Sequence, residues 1–201
     1  MKSQITVLRF GGRSLPRPLV SLRCREVHDA ATIDEAFGDA SRVIVVGSDA
    51  DLSAVLSRLL RTDRLDVEVA PVSGGPAGWL SARRAMTAAA QRVPLIRDDT
   101  GTVLVGSASW LPPEGSGRLH GEAVVDDAVL FDGDAPGVRI EPTTTLPGLR
   151  ATVMGSRNWV SGRAAQLGTT GARVVRDGVA GAREVKRSTF YRHTTGWLRV
   201  T

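Results

Sequence analysis

Three glycine-bearing turns stand where apolar runs end, and they hold most of the residues that can do chemistry. The clearest is Gly47-Ser48-Asp49-Ala50-Asp51, which follows Val43-Ile44-Val45-Val46 and leads directly into Leu52–Arg61. Glycine permits close approach of a ligand to the backbone, and the first N–H groups of a helix attract anions. A carboxylate beside them sits at the carboxyl edge of a strand, where α/β proteins bind nucleotides. Asp51 has a simpler reading as a cap on the free N–H groups of the helix start. The second turn, Gly11-Gly12, follows Ile5–Phe10 and suits either close approach to a phosphate or a plain reversal of the chain. The third, Ser73-Gly74-Gly75-Pro76-Ala77-Gly78, precedes Trp79; it reads as a phosphate loop or as a glycine turn feeding a helix packed through Trp79.

Other chemistries find little support. His28, His120 and His193 are scattered, with no metal-ligand spacing between them. The chain has no Gly-x-Ser-x-Gly elbow, Walker loop or HExxH motif. Its one cysteine, Cys24, leaves no intramolecular disulfide to form.

The elements that must position these turns change character along the chain. Strand patterns at Ile5–Phe10, Cys24–Val27, Val43–Val46 and Val67–Val72 alternate with helical spacing. The helical segments are Ala31–Gly38, with Thr32 as cap and Glu35 three residues on, then Leu52–Arg61 and the alanine-rich Trp79–Gln91. Alternation of this kind predicts a parallel sheet with right-handed crossovers. From about Pro94 onward the chain shows no helical pattern. Short β-branched runs are divided by turn signals at Asp99-Thr100-Gly101, Pro112-Pro113, Asp132-Gly133, Pro136-Gly137, Pro147-Gly148, Thr170-Gly171 and Asp177-Gly178. The expected fold is therefore α/β: a small Rossmann-like parallel-sheet domain over 1–93, followed by an all-β, sandwich-like domain over 94–201.

Composition sets the bounds. At 201 residues, 42% hydrophobic and 23% charged, the chain has the makeup of a globular protein that can bury one sizeable core or two small ones. Its apolar runs are far shorter than the roughly 20 residues of a bilayer-spanning helix. Ile5–Phe10 reads as a strand and not as a signal peptide, so the expected location is cytoplasmic. Charge is uneven: Arg150–Thr201 holds ten basic and two acidic side chains, and Asp98–Glu141 nine acidic and two basic. Two readings follow, cross-pairing of acidic and basic strands or contact of the arginines with anionic lipid or nucleic acid. No nucleic-acid motif accompanies the arginines, so nucleic acid is not the expected partner. An exposed sheet edge in the β half would allow a homo-oligomer.

Taken together, these stretches resemble the diacylglycerol kinase and NAD kinase superfamily. Gly47-Ser48-Asp49-Ala50-Asp51 is similar to its GGDGT phosphate turn. Ile5–Phe10 with Gly11-Gly12-Arg13-Ser14 resembles the opening NPxSG stretch of lipid kinases. Pro71-Val72-Ser73-Gly74-Gly75-Pro76-Ala77-Gly78-Trp79-Leu80 occupies the place of their PLGTGND turn and is similar to the GxLGFL stretch of NAD kinases. Arg173-Val174-Val175-Arg176-Asp177-Gly178-Val179 resembles the closing DGE or DGQ hairpin, although Asp177-Gly178 is equally an ordinary two-residue hairpin signal.

The resemblance implies ATP or a dinucleotide in a cleft between two domains, Mg2+ as metal, and phosphoryl transfer from ATP to a lipid or other hydroxyl-bearing acceptor. It assigns Asp49 the part of base or magnesium ligand. Gly11, Gly12, Gly47, Ser48, Ser73, Gly74, Gly75 and Gly78 would line the nucleotide. The departures at Ala50, Pro76, Ala77 and Val179 point instead to a catalytically silent descendant that acts as a regulatory partner or scaffold.

Overall fold

An apolar run such as Val43–Val46 has no polar face, so it is stable only with cover on both sides. The computed structural model describes residues 4–38, 40–72 and 78–201. They divide into two compact units, Met1–Val93 with Thr195–Thr201, and Pro94–Thr194. In the first unit β1 (Ile5–Phe10), β2 (Arg23–Val27), β3 (Arg42–Val46), β4 (Glu68–Val72) and β5 (Ala90–Val93) alternate with helices. These are a 3-10 turn (Arg17–Leu19), α1 (Ala30–Phe37), α2 (Asp49–Arg61) and α3 (Gly78–Thr87). The sheet order is β2-β1-β3-β4, then the C-terminal strand Trp197–Val200, then β5. Every pairing is parallel except that of β5 with the C-terminal strand.

Every residue of β3 is buried. On one face Val7, Ile44, Val46, Ala70 and Val72 pack with Leu19 and with Ala82 and Ala85 of α3. Ile33 and Phe37 of α1 and Leu52, Val55, Leu56 and Leu59 of α2 are buried as well, and those two helices pack together. Arg42 closes one end: its guanidinium bonds Glu68 at 2.6 Å and takes the carbonyls of Ala85 in α3 and of Ala88 just past it at 3.0 and 2.9 Å.

The second unit is antiparallel throughout. Its strands are β6 (Ile96–Asp98), β7 (Val103–Leu104), β8 (Ala108–Leu111), β9 (Leu119–Val125), β10 (Ala128–Ala135), β11 (Val138–Pro142), β12 (Leu149–Val153), β13 (Val160–Gly162), β14 (Ala164–Arg176), β15 (Val179–Ala180) and β16 (Val185–Arg192). Strand β14 is 13 residues long and shifts register between Gly168 and Ala172. Its first half pairs with β9 and β16 and its second half with β8 and β15, so one strand joins the two parts of a continuous 11-stranded sheet. Trp110 and Phe190 are fully buried within, and the Trp110 indole donates to the Ser188 hydroxyl at 2.9 Å.

The α/β plus all-β architecture is the expected one; several details are not. The last seven residues, assigned from sequence to the β half, add the strand Trp197–Val200 to the first unit's sheet. Helix α3 stops at Thr87 instead of Gln91, because Arg42 takes its terminal carbonyls and Ala90–Val93 pairs with the C-terminal strand. Thr32 does not cap α1. It stands at the third helical position and donates to Asp29, the actual cap. Asp132-Gly133 and Thr170-Gly171 lie inside β10 and β14; the β9–β10 reversal falls at Asp126-Asp127. Cross-strand charge pairing is present, in Arg150 with Glu141 across β12 and β11 and in Arg176 with the fully buried Asp98.

Candidate functional site

In the order β2-β1-β3-β4, the chain leaves β1 toward one side of the sheet and later passes to the other. The switch point lies between β1 and β3, and open parallel sheets bind ligands at the carboxyl ends of such strands. The turn after β1 is Gly11-Gly12; the turn after β3 is Gly47-Ser48. Gly11 and Gly12 have φ of 60° and 63°, and the Arg13 N–H donates back to the Phe10 carbonyl at 3.4 Å. Two successive left-handed residues make a type I′ reversal, which side chains with a Cβ resist. A Cβ built on Gly12 would meet open space, so glycine answers to backbone conformation there and the approach is clear.

At the second turn Ser48 is the helix cap. Its hydroxyl accepts from the Asp51 N–H at 3.3 Å, and the Asp51 carboxylate accepts from the Ser48 N–H and hydroxyl, both at 2.7 Å. This reciprocal pair is a capping box. Asp51 is thus the third residue of α2 and not its cap. Its side chain folds back so closely that a Cβ on Gly47 would lie 2.7 Å from the Asp51 Cβ. Ala50 is in regular helix, so the loss of glycine there costs no backbone strain. Asp49 is the first helical residue; it is exposed, and its carboxylate has no hydrogen-bond or ion-pair partner among the described residues.

The two turns are brought together by Arg13, whose Nη1 donates to the Phe10 carbonyl at 3.0 Å and to Asp51 Oδ2 at 3.1 Å. Gly78 opens α3 after β4, the strand beside β3, and so belongs to the same edge. Ser73, Gly74 and Gly75, with Pro76 and Ala77, lie outside the described residues.

Glu26 was not picked out from the sequence. On β2 it stands directly across from Arg9, whose Nε it binds, and its other oxygen accepts from the Gly12 N–H at 2.8 Å. The Gly12 N–H, and then the Arg9 guanidinium, hold the Glu26 carboxyl below its ordinary range. The Arg9–Glu26 contact depends on β2 lying parallel to β1 in that register, which no local pattern announces. At each turn, then, a carboxylate of the chain itself sits on a backbone N–H: Glu26 on Gly12 and Asp51 on Ser48.

The closing hairpin has a structural task. Asp177 and Gly178 turn β14 into β15 with φ of 49° and 83°, and the Asp177 carboxylate accepts from the N–H groups of Val105, Gly106 and Ser107 at 3.1, 2.7 and 3.0 Å. Val179, which follows this turn, is exposed. Among the described residues no group of three histidine, cysteine or acidic side chains could hold a metal alone, and no helix is long and apolar enough to cross a membrane.

No protein-family model and no curated protein matches the chain. Solved structures do. A diacylglycerol kinase from Bacillus anthracis str. Sterne superposes with a TM-score of 0.73 at 12% identity, over 100% of this chain and 97% of that one. An NAD kinase from Archaeoglobus fulgidus in complex with ATP superposes with a TM-score of 0.68 at 10% identity, over 98% and 93%. The likeness is one of fold: this chain has the diacylglycerol kinase and NAD kinase fold.

Proposed function

We propose that this chain is a lipid-kinase-like protein that binds ATP at the carboxyl edge of its parallel sheet and transfers a phosphoryl group to a hydroxyl-bearing acceptor in the cytoplasm. The observation that carries the reading is the meeting of the Gly11-Gly12 and Gly47-Ser48 turns at the β1/β3 switch point, joined by Arg13, with Asp49 unpartnered beside them. Phosphoryl transfer is mostly positioning and charge neutralisation. Arg13 supplies a cation next to the phosphates, the glycines allow close approach, and Asp49 accepts the proton of the acceptor hydroxyl as it attacks. Magnesium suits this chemistry as a partner of the nucleotide, because it is held by one or two carboxylates together with phosphate oxygens; Asp49 would be the carboxylate open to it in place of the base's part.

A second reading has its own observation. Glu26 and Asp51 occupy the two backbone donors that a phosphate would seek, which favours a catalytically silent protein working as a regulatory partner or scaffold. Isothermal titration with ATP, ADP and NAD, each with and without magnesium, separates the two. Magnesium-dependent ATP binding that is lost in Asp49→Ala, with the fold intact, supports the phosphotransferase. Absence of heat with every nucleotide at millimolar concentration leaves the silent protein.

A further inference from the structure

The buried face of α3 is made of small residues, Gly78, Ala82 and Ala85, but its outer face is not an ordinary solvated one. Trp79 is 45% and Leu80 60% exposed, one turn ahead of the exposed Arg83 and Arg84. The Arg83 guanidinium stacks over the Trp79 ring, 5.0 Å from its centroid. The 3-10 turn that packs against α3 adds the exposed Arg17, and Val20 just beyond it is 64% exposed. Isolated exposed apolar residues are common; contiguous ones rimmed by polar side chains mark contact surfaces, and here a tryptophan and a leucine stand side by side among arginines. The charge here is one-sided. No acidic residue occurs from Gln4 to Arg25 or from Val69 to Arg97, the two segments that supply this face.

We infer that the Trp79-Leu80-Arg83-Arg84 face, with Arg17 and Val20, docks on an anionic lipid bilayer. Tryptophan prefers the headgroup level, where its ring is apolar on one side and its N–H is wet on the other. Leu80 and Val20 give apolar area to the acyl boundary, and the arginines meet lipid phosphates. The arginines of residues 150–201 are weaker candidates for this contact. Arg150 and Arg176 are held by carboxylates, and Arg173 and Arg192 by the carbonyls of Pro112 and Pro147. The docking does not rest on the nucleotide reading. If that reading also holds, α3 opens on the edge that carries the β1 and β3 turns, so docking would bring that edge toward an acceptor lodged in the bilayer.

The test is co-sedimentation of the full chain with vesicles of phosphatidylglycerol and phosphatidylcholine, against vesicles of phosphatidylcholine alone. The expected result is sedimentation with the mixed vesicles only, weakening as salt rises. Trp79→Ser/Leu80→Ser and Arg83→Glu/Arg84→Glu should each lower the partition coefficient about tenfold or more. The charge variant carries the test should the apolar variant melt early. Asp49→Ala should sediment like the parent chain, whatever its nucleotide titration shows. Equal sedimentation of parent and variants overturns the inference, as does a parent chain that stays in the supernatant. So does a dimer in analytical ultracentrifugation that the apolar variant dissolves, since a second copy then covers the face. Equal retention by a DNA duplex, lost in the same variants, also overturns it in favour of a polyanion site.

Discussion

At Asp177 the left-handed backbone and the carboxylate work together: the first turns the hairpin, and the second gathers three N–H groups of the segment ahead of β8. Asp126, with φ of 50°, does the same at the β9–β10 reversal, accepting from the Arg163 and Ala164 N–H groups. Asp177→Ala should therefore cost about 2–3 kcal/mol in urea unfolding, the scale of leaving donors near a lost charged acceptor unsatisfied. Asp177→Asn, which keeps the turn and one acceptor oxygen, should cost about half of that. Equal losses would mean that the turn alone matters. Glu26 gives a pH prediction. Its folded value is depressed, first by Gly12 and then by Arg9, so its contribution is present above the ordinary 4.5 and is lost as pH falls through the lower folded value. The Gly12 amide resonance should titrate in that acid window and become flat in Glu26→Gln. Glu26→Ala should also free the Gly12 N–H and raise ATP affinity about fivefold if the edge takes phosphate; a measurable but unchanged affinity would mean that phosphate does not use this donor, and no binding by parent or variant would speak for the silent protein.

Element α2 shows what local sequence carries and what it does not. The strand, the glycine turn and the apolar stripe were legible because each is a local pattern of type and spacing. The capping box was half legible: Asp51 was recognised as an anion at a helix start, but Ser48 as the cap fixes the first helical residue at Asp49. Ser48→Ala should cost about 1 kcal/mol in thermal unfolding. Gly47→Ala should cost about 1–3 kcal/mol by driving a methyl into Asp51. A Gly47→Ala variant as stable as the parent would show that this side chain moves away freely. The end of α3 was hidden for the opposite reason. Alanine favours helix through Ala88–Ala90, and only the distant Arg42 and the C-terminal strand make the chain stop and pair. Asp132-Gly133 misled in the same way, since a turn signal inside β10 is overridden by its pairing with β9.

On the scale of the whole molecule, what the sequence concealed is a long-range return. A chain read in order suggests an α/β half and an all-β half meeting once near Arg92–Pro94. The chain instead comes back, and Trp197–Val200 pairs in parallel with β4 and antiparallel with β5. Nothing in Trp197-Leu198-Arg199-Val200 distinguishes it from the β half's own strands; only the vacant edge of β4 selects it. Buried Val200 and Trp197 make this strand part of the first unit's core. Truncation after Thr194 should therefore unfold selectively. The cost to the first unit is about 5 kcal/mol, comparable with the whole stability of a small domain, from the lost tryptophan and valine burial and the two lost ladders. Hydrogen exchange should accelerate across β3, β4 and β5, while β8, β14 and β16 around Trp110 and Phe190 keep their protection. On the proposed function, ATP binding at the β1 and β3 turns should disappear with the sheet that holds them. If protection fell evenly across both units, the C-terminal strand would be an accessory to a single cooperative fold and not the closing strand of the first unit's sheet.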